Sequence, residues 1–215
     1  MNNLVERLED CYTGAVFDVL RGRGITDCVL PADIRPLDPQ SPVAGPVFTV
    51  RGSPKPDLDA HESLVAWTGF LSRAPAGHVI VLEGNDQDRA LMGELSAETL
   101  HNKGVKGFVT DGGCRDNSFI RKIGLPVFFR FFTPRDIVAA WSPDAFDMPI
   151  RIGDVDISPG DYLIGDMDGV VIVPGAIAEE VIDEVEKTVK TENEVRKAIL
   201  DGVDPKDAYL RYGKF

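Results

Sequence analysis

The sequence predicts an α/β fold in a single domain, and three observations carry that prediction. Between residues 43 and 131, apolar β-branched runs alternate with helix-patterned segments. That is the strand–helix–strand order of crossover units that build a largely parallel sheet. Past Trp141 the pattern changes to short strands separated by Gly, Asp and Pro, a β-rich patch, and after Pro174-Gly175 one long helical segment follows.

Taken in order, Val5 to Leu20 reads as one amphipathic helix, ended by Gly22 and Gly24. Gly, Pro and Asp then dominate up to Pro42, around a short strand near Cys28–Leu30. Val43-Ala44-Gly45-Pro46-Val47-Phe48-Thr49-Val50 has the composition of a buried strand. A helix from about Leu58 to Ser72 and a strand over His78–Leu82 come next. The alternation repeats with a helix over Ser96–Lys103, a strand over Val105–Thr110, a turn at Asp111-Gly112-Gly113, a helix over Asn117–Ile123 and a strand over Pro126–Phe131. Short strands are expected at Pro149–Ile152, Val155–Ile157, Tyr162–Gly165 and Val170–Val173. The long helix runs from about Ala176 to Leu200, and a short one from Pro205 to Tyr212. With no repeat, low-complexity tract or linker, residues 1–215 are expected to be one domain with a helical extension from about residue 176.

Composition narrows the function classes. Lys plus Arg is 23 against 35 Asp plus Glu, a net charge of −12. Phosphate-backbone contacts need clustered Lys and Arg, so no nucleic-acid partner and no anionic membrane surface is expected. Three cysteines (Cys11, Cys28, Cys114) with no Cys-x-x-Cys pair argue against a disulfide framework and a thiolate zinc site. The first residues lack a basic segment followed by an apolar core, and no apolar run approaches a membrane span, so a cytoplasmic location is the expectation.

Two turns carry chemistry. Gly93-Glu94-Leu95-Ser96 opens a helix, where a glycine lets a ligand approach and the first amides lack intrahelical partners. A small oxoacid carboxylate suits that position, although Glu94 also fits as a first-turn acid complementing the helix dipole. Twenty residues separate Glu94 from Arg115. Arg115-Asp116 follows a strand and the Gly112-Gly113 turn, at the strand end where open α/β sheets gather ligands. One carboxylate with water suffices for Mg²⁺, and a guanidinium beside it can stabilise an enolate; a surface Arg-Asp pair is the plainer alternative. Asp111 reads as a turn former and Cys114 as a small buried residue. The histidines (His61, His78, His101) show no paired spacing. Arg130 is a candidate second anion contact. Glu192 lies on an apolar helix stripe with Val185 and Ile199, paired either with Arg196 or with a site on a neighbouring subunit.

The acid followed after twenty residues by Arg-Asp resembles the motif of the RraA-like superfamily, in its 4-hydroxy-4-methyl-2-oxoglutarate / 4-carboxy-4-hydroxy-2-oxoadipate aldolase branch, the class II pyruvate aldolases. Val43-Ala44-Gly45-Pro46, Leu125-Pro126-Val127-Phe128, Pro159-Gly160-Asp161 and the run Gly165-Asp166-Met167-Asp168-Gly169-Val170-Val171-Ile172-Val173-Pro174 agree with it in order and spacing. The resemblance implies a β/β/α swivelling-domain-like core, homotrimers or homohexamers with active sites between subunits, and a small 2-oxo acid substrate. It further implies Mg²⁺ or Mn²⁺, or another divalent cation, at Asp116 and contact of Arg115 with the oxo and enolate oxygens. The substrate carboxylate falls at the Gly93, Leu95 and Ser96 backbone. Glu94 matches an acid that orients a metal-bound water, where the family often has Asp, and Glu192 resembles a helix acid from the adjacent subunit. An oxaloacetate decarboxylase side activity follows from the shared enolate. The superfamily's other branch, regulators that bind and inhibit a ribonuclease, generally lacks the aspartate after the arginine. Many relatives carry a demethylmenaquinone methyltransferase label, for which the single glycine doublet here offers no physical support.

Overall fold

The computed structural model describes residues 4–215. Helices α1 (Leu4–Glu9) and α2 (Thr13–Gly22) lead to β1 (Arg35–Pro36) and the long strand β2 (Val43–Pro54). Then come α3 (Ala60–Arg73), β3 (Val79–Glu83), α4 (Glu94–Asn102), β4 (Gly107–Thr110), β5 (Gly113–Cys114), α5 (Asn117–Ile123), β6 (Val127–Phe129) and β7 (Phe131–Phe132). The remainder comprises β8 (Trp141–Phe146), β9 (Ile150–Ile152), β10 (Val155–Ile157), β11 (Tyr162–Asp166), β12 (Gly169–Val173), a 3-10 turn at Gly175–Ile177, α6 (Ala178–Leu200) and α7 (Pro205–Tyr212).

The main sheet runs β1-β6-β4-β3-β2-β11-β12. Its centre, β2, β3, β4 and β6, is parallel, as the crossover pattern predicts, while antiparallel pairings add β1, β11 and β12. β2 is long enough to pair with β11 through Val43–Pro46 and with β8 through Val50–Pro54, the register slipping between Arg51 and Gly52. A Cβ at Gly52 would sit 2.2 Å from the Trp141 ring, so the missing side chain is what lets that indole lie on the strand. Trp141 Nε1 donates to the Gly84 carbonyl at 2.7 Å.

Strand alternation sorts side chains into two layers. Ile80, Leu82, Phe108, Val127 and Phe129 face Trp67, Phe70, Leu100 and Ile120 of the helices α3, α4 and α5. Val79, Val81, Val109 and Phe128 face the other way, onto Ile150, Ile152, Val155 and Ile157 of the β9–β10 hairpin. The order hairpin, sheet, helices is the β/β/α layering the resemblance implies. On β12, Val171 and Val173 meet Leu8, Val16 and Leu20 together with Val181 and Val185 of α6. The first half of the long helix is therefore a packed part of the core.

Several boundaries differ from the sequence reading. The single helix expected over Val5–Leu20 is two, because Thr13 N and Oγ1 bond the Asp166 carboxylate at 2.9 and 2.8 Å and turn the chain there. The strand near Cys28–Leu30 is reduced to one bridge, Val29 to Val171. Pro126–Phe131 divides at Arg130, whose amide donates sideways to Gly112 O at 2.9 Å. Gly113, expected in a turn, begins β5, and β1 and β8 were not expected at all. Arg35-Pro36 of β1 and the Ser142-Pro143-Asp144 of β8 hide these strands, whose pairing is supplied by distant partners.

Candidate active site

Two short segments are laced together beside the carboxyl ends of β3 and β4. Gly113 N donates to Arg89 O at 3.0 Å, Leu91 N to Gly113 O at 2.9 Å, and Arg115 N to Met92 O at 3.0 Å. This ladder sets Gly93-Glu94 against Arg115-Asp116. Gly93 is the extended N-cap of α4 (φ −146°, ψ 175°). A Cβ there would lie 3.0 Å from Asp116 Oδ2 and 3.2 Å from Arg115 Nε, so a bare backbone is needed for the two side chains to close over it.

Asp116 has a left-handed backbone (φ 56°, ψ 31°) and caps α5 without bonding its own helix through the side chain. Its Oδ2 accepts from Glu94 N at 3.2 Å, with Arg115 Nε 3.5 Å away. The same guanidinium meets Asp136 Oδ2 at 3.1 Å. In α4 the first intrahelical bond runs from Ala97 N to Gly93 O, leaving the Leu95 and Ser96 amides as the free donors of the helix start. Ser96 Oγ accepts from Trp67 Nε1 at 2.9 Å. Glu94, Leu95, Ser96, Arg115 and Asp116 line one cavity of about 390 Å³.

Arg115, Glu94, Gly93, Leu95, Ser96 and Asp116 are thus brought together, and Asp136 joins them. Asp136 was missed because Pro134-Arg135-Asp136 reads as an ordinary turn, and its Oδ1 does cap Val138 N at 3.1 Å. Glu192 is elsewhere in the chain. It accepts from the Tyr12 hydroxyl and lies 3.6 Å from Lys214 Nζ, while Arg196, its expected in-helix partner, turns to Asn193 at 2.6 Å. Burial, aided by that hydrogen bond, pushes Tyr12 up to about 12. Arg130 is also outside the cavity, 2.9 Å from Asp33.

The supporting residues are inert or structural. Cys114 is buried, and desolvation pushes its thiol up to about 12, so it is no thiolate at neutral pH. Asp111 does more than shape its turn: Oδ1 accepts Gly84 N at 2.6 Å, tying the ends of β3 and β4, and burial raises its pKa.

Among the described residues no group of three or more His, Cys, Asp or Glu is placed to hold an ion. The carboxylates that line the cavity, Glu94, Asp116 and Asp136, are hard oxygen donors, and a single carboxylate completed by water and substrate oxygens suits Mg²⁺ or Mn²⁺. The residues present fit such a cation. No helix among the described residues is long and apolar enough to cross a membrane.

The chain belongs to the RraA-like (Aldolase/RraA) family, whose sequence model matches residues 13–172. It is 31% identical over 190 residues to a Halalkalibacterium halodurans protein named "Putative 4-hydroxy-4-methyl-2-oxoglutarate aldolase", covering 87% of this chain and 85% of that one. A crystal structure from Pseudomonas syringae, of an uncharacterized protein, superposes with a TM-score of 0.88 at 28% identity over 97% and 93% of the two chains. Streptomyces coelicolor RraAS2, described as an unusual member of the RNase ES inhibitor RraA family, gives 0.80 at 27% identity over 90% and 95%.

Proposed function

We propose that this protein is a divalent-metal-dependent lyase that cleaves a 4-hydroxy-2-oxo acid to pyruvate and a carbonyl compound. The observation that carries this is the meeting of Arg115, Asp116 and Glu94 with the free amides of α4 in one cavity. The substrate carboxylate accepts from Leu95 and Ser96 N–H, and Gly93 lets it approach. Arg115 donates to the 2-oxo oxygen. Glu94 takes the proton of the C4 hydroxyl, directly or through water, as the C3–C4 bond breaks and its electron pair moves to C3. The negative charge reaching the oxo oxygen is stabilised by the guanidinium aimed at it. Proton return to C3 yields pyruvate. A Mg²⁺ or Mn²⁺ held at Asp116 supplies Lewis-acid polarisation of the oxo group.

The same enolate arises when oxaloacetate loses CO₂, so a decarboxylase side activity belongs to the reading. Glu192 contributes from an adjacent subunit of a homotrimer or homohexamer, since within its own chain it does not reach the cavity. A second reading is favoured by the similarity to RraAS2: a non-catalytic regulator that occupies a ribonuclease. Incubation with oxaloacetate and Mg²⁺ separates the two. Pyruvate release that EDTA abolishes and Mg²⁺ restores supports the lyase; no release, with binding to a ribonuclease instead, supports the regulator.

A further inference from the structure

Among the described residues Asp86 is the one charged residue that is buried, 4% exposed, and it does not line the candidate cavity. Taking a carboxylate out of water is costly unless it is paired and hydrogen-bonded. Its Oδ1 accepts from Asp88 N at 2.7 Å and Arg89 N at 2.8 Å, and its Oδ2 from Arg89 Nη1 at 2.6 Å. These bonds fall on the start of a segment, residues 88–92, that lies outside any helix or strand and touches every strip of backbone the site draws on. Arg89 O and Leu91 N bond Gly113 at 3.0 and 2.9 Å, and Met92 O accepts from Arg115 N at 3.0 Å. Along its other edge Ala90 N donates to Arg135 O at 2.8 Å, and Asp88 Oδ2 lies 2.7 Å from Arg135 Nη1, beside Asp136. Gly93-Glu94 follows directly. Near that end the buried Leu91 is wedged between two glycines: a Cβ at Gly84 would fall 2.2 Å from Leu91 Cδ1, and one at Gly112 2.5 Å. The segment is therefore fixed by a buried charge at one end and by packing at the other. Both devices lie within one chain, whatever a neighbouring subunit adds to the site.

We infer that Asp86 is a positioning residue of the candidate active site: by clamping Asp88 and Arg89 it holds the 89–92 ladder, and through that ladder the placement of Glu94 against Arg115 and Asp116. It touches no reacting atom and acts through the backbone. Its effect on turnover rests on the lyase reading, whereas its hold on the ladder does not. The three bonds to one buried carboxylate form a network and are lost together when that carboxylate is removed. With them goes the restraint on Arg89 O, the acceptor of Gly113 N. A shift of about 1 Å in oriented groups, even from a change remote from the chemistry, lowers turnover by up to about 10²-fold.

Hydrogen exchange of the full-length protein, read at the Leu91, Gly113 and Arg115 amides, tests the clamp directly. In Asp86→Ala these amides should exchange at least about tenfold faster than in the parent, while the amides of β3 and β4 keep their protection. Mg²⁺-dependent pyruvate release from oxaloacetate should fall by about 10²-fold in kcat/KM. Asp86→Asn keeps an acceptor for the Asp88 and Arg89 amides and loses the charge, so it should lie between parent and Asp86→Ala on both measures. Should Asp86→Ala fail to fold, Asp86→Asn decides alone. Ile157→Ala, which empties a buried position of the β9–β10 hairpin, is the control for destabilisation: it should lower the urea midpoint and leave ladder exchange and kcat/KM near the parent's. Ladder exchange unchanged in the Asp86 variants overturns the inference, as does an equal opening in Ile157→Ala. An opened ladder with unchanged kcat/KM removes the role in turnover. A parent that releases no pyruvate sinks the lyase reading instead, and the exchange rates still decide whether Asp86 holds the ladder.

Discussion

Asp116 Oδ2 accepts the amide of Glu94 at 3.2 Å, so the carboxylate proposed to hold the cation is fixed by the first residue of the helix proposed to bind the substrate. Positioning of cation and oxoacid is therefore one geometric unit. Asp116→Asn preserves an acceptor for Glu94 N and a residue type tolerant of the left-handed backbone, while removing the charge. It should fold with an unchanged circular dichroism spectrum, lose Mg²⁺ binding by calorimetry, and lose Mg²⁺-dependent pyruvate release. Retained release would remove Asp116 from the metal site.

Gly93→Ala tests the closeness of the two turns. Its extended φ suits alanine, so the unfolding free energy in urea should stay within about 1 kcal/mol of the parent. The new methyl would meet Asp116 Oδ2 at 3.0 Å and Arg115 Nε at 3.2 Å, forcing them apart. A kcat/KM reduced by roughly tenfold or more is expected, since displacements well under an ångström matter to oriented groups.

Arg115→Ala removes the donor aimed at the developing charge and should lower kcat by ~10²–10³-fold, by analogy with oxyanion donors. Asp136→Ala leaves that guanidinium in place without its 3.1 Å anchor. Because both side chains are more than a third exposed, stability should change by only ~0–1 kcal/mol. The Asp136 variant should show a raised KM with a smaller loss of kcat, and equal behaviour of the two variants in steady-state kinetics would contradict the separate roles.

Burial raises the Asp111 pKa from its ordinary value. Between the ordinary value of ~4 and the raised one, the folded chain binds the proton that the unfolded chain has lost. Asp111 therefore contributes stability that is full below ~pH 4 and disappears as pH rises through the raised value. Asp111→Asn should lose this dependence while keeping an acceptor for Gly84 N. Urea midpoints of parent and variant, measured across that interval, should shift in the variant's favour as pH increases.

The placement of Glu192 across a subunit boundary has its own test. Glu192→Gln and Arg115→Ala variants, each nearly inactive, should regain activity when unfolded together and refolded as mixed oligomers, because some sites then combine an intact Arg115 with a neighbour's intact Glu192. Absence of any recovery, with mixed oligomers verified by mass spectrometry, would confine Glu192 to its bonds with Tyr12 and Lys214.

Alternation of β-branched runs with helical segments made the parallel centre of the sheet legible, because burial on both faces leaves β3 and β4 almost wholly apolar. Gly-Glu-Leu-Ser and Arg-Asp were legible as residue types suited to an oxoacid and a hard cation, with their spacing. Tertiary structure decided the rest. Gly113 pairs with Arg89 and Leu91 across more than twenty residues, and no local preference records that ladder. Asp136 reaches Arg115 only once β7 has paired beside β5. Propensity and periodicity act over a few neighbouring residues, whereas the distance between two side chains depends on how every intervening element packs; the chemistry was written in the chain, and its geometry was not.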